Sequence, residues 1–258
     1  MRLSDKVILV TGSTTGIGEA IARRACREGA SVVLHGRDEV RGQSIAAEIG
    51  SQASFVGGDL AQSNIPSQLI EYAIKTYDKL DAVVNNAAWV VRSDIYTTDA
   101  DLFDKVIRIN VRAPFLLVQA ALPYLKRSRG CVLNIGSMNA YTGESNLLAY
   151  SVSKGALMTL SRNLSDALCY DSVRVNHFNV GWVLTPNEYE YKRKDGLPDD
   201  WPSRIPLQFA PAGRIMTPEE IAAAAVYWLS DESRPVSGSV VDLEQYPFIG
   251  RNPTKRGD

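Results

Sequence analysis

Residues 6–29, KVILVTGSTTGIGEAIARRACREG, decide how this chain is read. Lys6–Thr11 holds a short apolar run of the kind that fills a buried strand. Three glycines follow within seven residues, in Gly12-Ser13-Thr14-Thr15-Gly16-Ile17-Gly18. From Glu19 to Glu28 the apolar residues return at helical spacing, and Gly29 stops the run. The order is strand, glycine-rich turn, helix. Glycines let a backbone approach a pyrophosphate closely, and a helix start offers free N–H groups at the positive end of a dipole. The spacing is G-x-x-x-G-x-G rather than G-x-G-x-x-G. A glycine-rich connection without a ligand is the plain alternative, and the strand before and the helix after weigh against it.

The alternation continues downstream. Ser31–His35 reads as a second strand, leaving through Gly36-Arg37-Asp38, and Glu39–Ile49 as a helix. Ala53–Val56 is a third strand before Gly57-Gly58-Asp59-Leu60, and Ile65–Tyr77 is an amphipathic helix. A fourth strand starts at Asp81 and ends in Asn85-Asn86-Ala87-Ala88, a pattern that suits a packed turn beside a ligand or turn chemistry alone. Helical blocks at Asp101–Val111 and Pro114–Leu125 enclose Asn110, a poor helix former mid-helix and so a candidate for function. Cys131–Ile135 is the fifth strand, a helix continues past Tyr150 to about Tyr170, and Val173–Asn179 is the sixth strand. Thr217-Pro218 opens a helix through Leu229, with Thr as N-cap and Pro at the first helical position, and Gly238–Leu243 is the last strand. Residues 182–212 mix charge, proline and aromatics, as a lid or substrate loop does, while the tail 244–258 has little regular signal. With no repeat or linker in 258 residues, one α/β domain is expected.

Composition narrows the partners. A formal net charge of −1 and a pI near 6.2 give no basic excess to attract nucleic acid or an anionic membrane. No apolar run approaches the ~18–20 residues of a membrane span, and the N-terminus lacks the long apolar region of a signal peptide. Cys26, Cys131 and Cys169 are odd in number and scattered, so each is expected as a small core residue in a reducing, cytoplasmic compartment. His35 and His177 lie far apart in sequence, and no metal-ligand spacing is present.

The chemistry concentrates in residues 131–154, CVLNIGSMNAYTGESNLLAYSVSK. Ser137 follows the end of a buried strand. Tyr150 and Lys154 stand four apart, on one face if the segment is a single helix. A phenol near pKa ~10 is brought towards a working range by an adjacent ammonium. Hydroxyl, phenol and ammonium together suit proton handling at a carbonyl or carbinol. At the second strand's end there is no acid, and Arg37 follows at once; its planar fork suits a 2′-phosphate and favours NADP over NAD. Alternatively Arg37 is a solvated loop charge, and Asp38 caps the next helix or contacts a ribose. Asp59 is a turn residue or, in a dinucleotide fold, a neighbour of the adenine.

These stations stand in one order: Thr11-Gly12-x-x-x-Gly16-x-Gly18, Asp59, Asn85-Asn86-Ala87, Asn110, Ser137, Tyr150-x-x-x-Lys154, and Asn179-x-Gly181 with Thr185. Over nearly its whole length the chain resembles the short-chain dehydrogenase/reductase family. The resemblance implies a single Rossmann-like, doubly wound domain, with a parallel sheet of about seven strands and helices on both faces. It implies NADP or NAD held by Gly12, Ser13, Thr14, Thr15, Gly16, Ile17, Gly18, Arg37, Asp59, Leu60, Asn86, Ala87, Tyr150, Lys154, Gly181, Val183 and Thr185. It implies Tyr150 as acid/base, with Ser137 holding the substrate oxygen. Lys154 would lower the Tyr150 pKa and bond the nicotinamide ribose, and Asn110 would hold a water that links Lys154 to solvent. Two positions depart from the family pattern: Ala88 stands where Gly is usual, and Val180 where Pro is usual. The expected reaction interconverts a carbonyl and a secondary alcohol. Trp201, Tyr189, Tyr191, Asn139, Glu144 and Asn187 look compatible with a sugar or polyol. A 3-oxoacyl thioester reductase and a non-catalytic dinucleotide sensor are the alternatives. Family members are commonly tetramers or dimers, so a homo-oligomer is expected, paired through the helix after Tyr150 and the final helix and strand.

Overall fold

The computed structural model describes residues 1–246. Its strands are β1 (Val7–Val10), β2 (Ser31–Gly36), β3 (Ala53–Gly57), β4 (Ala82–Asn85), β5 (Cys131–Ile135), β6 (Arg174–Val180) and β7 (Val240–Leu243). All neighbours pair in parallel, in the order β3-β2-β1-β4-β5-β6-β7. The helices are α1 (Gly16–Arg27), α2 (Glu39–Ile49), α3 (Ile65–Tyr77), α4 (Ala100–Ile107), α5 (Ala113–Ser128), α6 (Asn139–Thr142), α7 (Leu148–Ala167), α8 (Pro186–Lys194) and α9 (Pro218–Leu229).

Strand residues alternate between two cores, because successive side chains point to opposite faces. Ile8 and Val10 of β1 join one core with Ala22 and Ala25 of α1 and Ala222 and Ala225 of α9. Val7 and Leu9 join the other with Leu69 of α3 and Leu117 and Ala121 of α5. Both faces are covered, which is why the strands read as nearly continuous apolar runs. The alanine-rich stretch of α9 is therefore a core helix packed on α1. Strand order reverses between β1 and β4, and at such a point the loops beyond the strand ends part and leave a crevice.

Four local expectations differ from what is found. The helical block ending at Val111 is α4 followed by one π-helical turn, Arg108–Arg112, before α5 begins. The widened turn accommodates Asn110, which is 1% exposed and points inward. The run Ala100–Ser128 is long and apolar enough to cross a membrane by length and composition, although Ala113, Leu117, Val118, Ala121 and Leu125 face the core. Residues 182–212 are not simply a loop: they contain α8 and a 3-10 turn, Trp201–Ser203, and Trp201 is only 2% exposed. Its indole stacks on Trp182 at 5.7 Å and on Tyr189 at 6.2 Å. Cys169 is a correction: α7 ends at Ala167, and the 3-10 turn after it holds Cys169 exposed, whereas Cys26 and Cys131 are buried as expected. Of the tail, residues 247–258 lie outside the described residues.

Candidate active site

The crevice at the C-terminal ends of β1 and β4 is a cavity of about 420 Å³. The glycine turn forms one end of it. Ser137, Tyr150 and Lys154 lie on its wall, and Trp182, Asn187, Glu188 and Tyr191 also line it. Every residue expected to hold a dinucleotide lines this cavity except Ser13 and Gly18. Ser13 is fully buried; its hydroxyl donates to Val10 O at 2.8 Å and accepts from His35 N at 3.0 Å. Gly18 packs α1 against the exit of β4, since a Cβ there would lie 2.4 Å from Asn86 Nδ2. Both residues shape the turn rather than its surface.

The turn is held by side chains beneath it. Thr11 Oγ1 accepts from Asn86 N at 3.0 Å and Ala87 N at 3.1 Å. Asn86 Nδ2 donates to Thr11 O at 2.9 Å and Gly12 O at 3.1 Å. Gly12 has φ +64°, and a Cβ on it would meet Ala87 Cα at 2.9 Å, so a side chain is excluded twice over. His35 is a buried polar residue in β2. Its Nδ1 accepts from Gly12 N at 3.4 Å and its Nε2 lies 3.2 Å from Gly58 O, which makes Nε2 the protonated nitrogen. Burial pushes its pKa down to about 4, so it bridges the β1 and β3 exits as a neutral ring.

At the end of β2, Gly36 leaves no room for a side chain: a Cβ would sit 2.5 Å from Thr14 Cγ2. Arg37 is exposed on the cavity wall. Asp38 is the N-cap of α2, its Oδ1 accepting from Arg41 N at 3.0 Å. Asp59 lines the cavity and also closes its own turn, accepting from Ala61 N at 3.0 Å. Ala88 and Val180, the two departures from the family pattern, both line the cavity as well.

Tyr150 and Lys154 stand one turn apart on α7, as their spacing required. Lys154 is 2% exposed; its Nζ donates to Ile135 O, at the end of β5, at 2.7 Å and lies 5.5 Å from the Tyr150 ring centroid. Burial lowers its pKa to about 8. The Tyr150 phenol moves the other way, up to about 12. Burial is the main cause; a hydrogen bond with Ser137 opposes it, and the carboxylates of Glu188 and Glu144 add to it. No lowering by Lys154 offsets this, because desolvation penalises both charged forms. Tyr150 is half-buried and lines the cavity.

Asn110 does not line the cavity. Its Oδ1 accepts from Trp89 N at 2.8 Å, and its Nδ2 donates to Trp89 O at 3.2 Å and to Ser153 Oγ at 2.9 Å. Ser153 in turn donates to Tyr150 O at 2.6 Å. With both amide hydrogens committed, this side chain clamps the β4 exit to α7. Of the suggested substrate residues, Asn187 and Tyr191 line the cavity. Tyr189 and Trp201 lie in the aromatic stack with Trp182, and Asn139 donates to Glu144 at 3.1 Å. Trp182 and Glu188 were missed; the one sequence signal for Glu188 is its place three residues after the N-cap in Thr185-Pro186-Asn187-Glu188.

The residues present fit a nicotinamide dinucleotide. Thr15 Oγ1 is buried without a partner among the described residues, and Thr15 lines the cavity beside the side-chain-free Gly12 and Gly16. Turn N–H groups, the start of α1 and the Arg37 guanidinium supply donors for phosphates. Among the described residues no group of three or more His, Cys, Asp or Glu is arranged to hold a metal ion.

Comparison with known proteins agrees. Residues 12–244 match the family model described as enoyl-(acyl carrier protein) reductase. L-fucose dehydrogenase of Mus musculus is 34% identical over 231 residues, 89% of this chain and 84% of that protein. Among solved structures, 3-oxoacyl-(acyl-carrier-protein) reductase of Agrobacterium tumefaciens C58 with NADP bound has a TM-score of 0.85 at 27% identity, covering 93% of each chain. The 3-ketoacyl-(acyl-carrier-protein) reductase of Brucella melitensis complexed with NADH has a TM-score of 0.82 at 28% identity, covering 93% of this chain and 97% of that one. With its sheet order, its switch-point cavity and its Ser137, Tyr150 and Lys154 together on one wall, the chain belongs to the short-chain dehydrogenase/reductase family, NAD(P)-dependent oxidoreductases acting on CH–OH groups.

Proposed function

We propose that this enzyme interconverts a ketone and a secondary alcohol in a small, neutral compound bearing further hydroxyls, with NADP preferred over NAD. One observation carries the reaction: Ser137, Tyr150 and Lys154 share one wall of a cavity that also contains the glycine turn. When bound, the nicotinamide supplies a hydride in reduction and accepts one in oxidation. The protein handles the oxygen and its proton. In reduction, the Ser137 hydroxyl holds the carbonyl oxygen, and the Tyr150 phenol gives it a proton as negative charge develops there. Lys154, fixed to Ile135 O, is the cation that steadies the resulting phenolate. Oxidation reverses the transfer, with the phenolate taking the carbinol proton. Asn110 enters as a positioning residue behind Tyr150 and Lys154.

Charge in the cavity supports the substrate class. Glu188 lines it, and both Glu188 and Glu144 act on the Tyr150 phenol, a field that repels anionic substrates and accepts hydroxyl donors. Mouse L-fucose dehydrogenase, named for a sugar, is in keeping with this. The 3-oxoacyl thioester reading draws on the two structural neighbours, but nearby Arg92 is already paired with Asp195 at 2.6 Å and Glu144 at 3.9 Å. A dinucleotide sensor has no use for the Ser137, Tyr150 and Lys154 arrangement. NADP preference rests on Arg37, on the closed space at Gly36 and on Asp38 being engaged as a cap. A homo-oligomer, dimer or tetramer, and a cytoplasmic location complete the proposal, the latter in keeping with three free thiols. The test is reduced-nicotinamide absorbance with NADPH and NADH on a panel of sugars, polyols, simple alcohols and 3-oxoacyl thioesters, with light scattering for assembly. Turnover confined to the thioesters, or absent throughout with the cofactor bound, refutes the reading.

A further inference from the structure

The chain contains the same helix-start sequence twice, and the two copies behave differently. Thr217-Pro218-Glu219-Glu220 opens α9, and Thr185-Pro186-Asn187-Glu188 opens α8. Each is a Thr-Pro-x-Glu pattern, in which the third-position carboxylate normally folds back to the N-cap backbone N–H. Glu220 does so, with Oε2 accepting from Thr217 N at 2.8 Å. Glu188 does not. Thr185 Oγ1 still accepts from Glu188 N at 3.0 Å, but Thr185 N donates to Val183 O at 3.0 Å. The Glu188 carboxylate turns to the cavity, and its Oε1 accepts from Trp182 Nε1 at 2.8 Å. Lys192 is 3.9 Å from that same oxygen. Among the described residues Oε2 has no hydrogen-bond donor. The dipole of α8 favours an acid at this position, but a folded-back carboxylate would satisfy that dipole equally. The indole that aims Glu188 is itself fixed, stacked on buried Trp201 at 5.7 Å with the Lys192 ammonium 5.3 Å from its centroid.

We propose that Glu188 is a specificity-determining residue whose free carboxylate oxygen accepts a hydrogen bond from a substrate hydroxyl neighbouring the reacting carbinol. Its preferred ligands are vicinal diols and their 2-hydroxyketone counterparts, and compounds with a carboxylate or phosphate at that place are rejected. The inference rests on the reading of this cavity as the carbinol-oxidising site. Oε1 is held by Trp182, so a single acceptor is presented in one direction, which selects a hydroxyl at one place on the substrate.

The experiment compares cis-cyclohexane-1,2-diol with cyclohexanol, using NADP⁺ and the intact chain. The wild type is expected to favour the diol by about 10- to 100-fold in kcat/KM, the usual worth of a hydrogen bond to a charged group. Glu188→Gln keeps an acceptor for Trp182 Nε1 and removes the charge; it is expected to erase most of that ratio. Glu220→Gln, at the matching place on α9 away from the cavity, is expected to lower Tm and leave the ratio as it was. Calorimetric dissociation constants for both alcohols on Tyr150→Phe, with and without Glu188→Gln, give the same comparison without turnover. A wild type without diol preference, or Glu188→Gln losing equally on both alcohols, overturns the role of Glu188. Oxidation of neither alcohol by the wild type, with diol-selective binding still dependent on Glu188, would instead overturn the reaction and keep the residue's role.

Discussion

Replacing Asn110 by alanine tests whether this residue is a clamp. Its amide makes three hydrogen bonds, to Trp89 N, Trp89 O and Ser153 Oγ. Truncation leaves the Trp89 peptide without its partners, while Ser153 keeps its bond to Tyr150 O. Each buried group left unsatisfied costs about 1–3 kcal/mol, and water entering beside half-buried Trp89 recovers part of that, so the total is about 3 kcal/mol. For a chain of this size that corresponds to a fall of about 6–12 °C in Tm. Asn110→Asp keeps an acceptor for Trp89 N and loses both donors, so it falls between the wild type and alanine. Turnover falls as well, because Tyr150 and Lys154 sit on the helix that the clamp braces, and small misplacements of reacting groups are costly. Thermal unfolding followed by circular dichroism, with and without NADPH, measures the first effect; initial rates measure the second. A Tm for Asn110→Ala within about 2 °C of wild type refutes the clamp, since no arrangement with three lost bonds is that cheap.

Three further outcomes are expected. Tyr150→Phe keeps its packing and its NADPH affinity but loses about 10²–10⁴-fold in kcat, the usual worth of a general acid; turnover within fivefold of wild type removes Tyr150 from the mechanism. Arg37→Ala raises KM for NADPH by about tenfold or more and changes KM for NADH little, and equal effects on both cofactors would show that Arg37 does not meet the 2′-phosphate. Lys154 has a pKa of about 8 in the fold against an ordinary 10.5, so between those values the unfolded chain holds a proton that the native state lacks. Its contribution to stability therefore rises with pH across that window, by up to about 3 kcal/mol, and the wild type gains by that amount on Lys154→Met between pH 7.5 and 10 in urea unfolding. A pH-independent difference between the two proteins contradicts a buried ammonium.

The strand, turn and helix at residues 6–29 were decided by local chemistry: an apolar run, glycines that only a close backbone approach needs, and a helical period. The same holds for α2, α3 and β5, whose bounds fall where the sequence puts them. Tyr150 and Lys154 were legible because four residues along a helix is one turn, whatever surrounds it. What surrounds them was decided by the fold alone. Burial drives the phenol to about 12 and the ammonium to about 8, and the number of atoms excluding water from a side chain is a property of packing. Asn110 announced itself by breaking a helical pattern, but its partner Trp89 lies 21 residues away and meets it only across a π turn. Two Thr-Pro-x-Glu sequences are alike to a reader of the chain; Trp182 draws one carboxylate towards the cavity, while the other closes its own helix. Short-range rules thus fixed the elements and the spacing of the catalytic side chains. Charge state and clamping depend on contacts between residues distant in sequence, which exist only once the sheet has brought them together, and Glu188 is aimed by an indole six residues before it that Trp201 fixes by stacking.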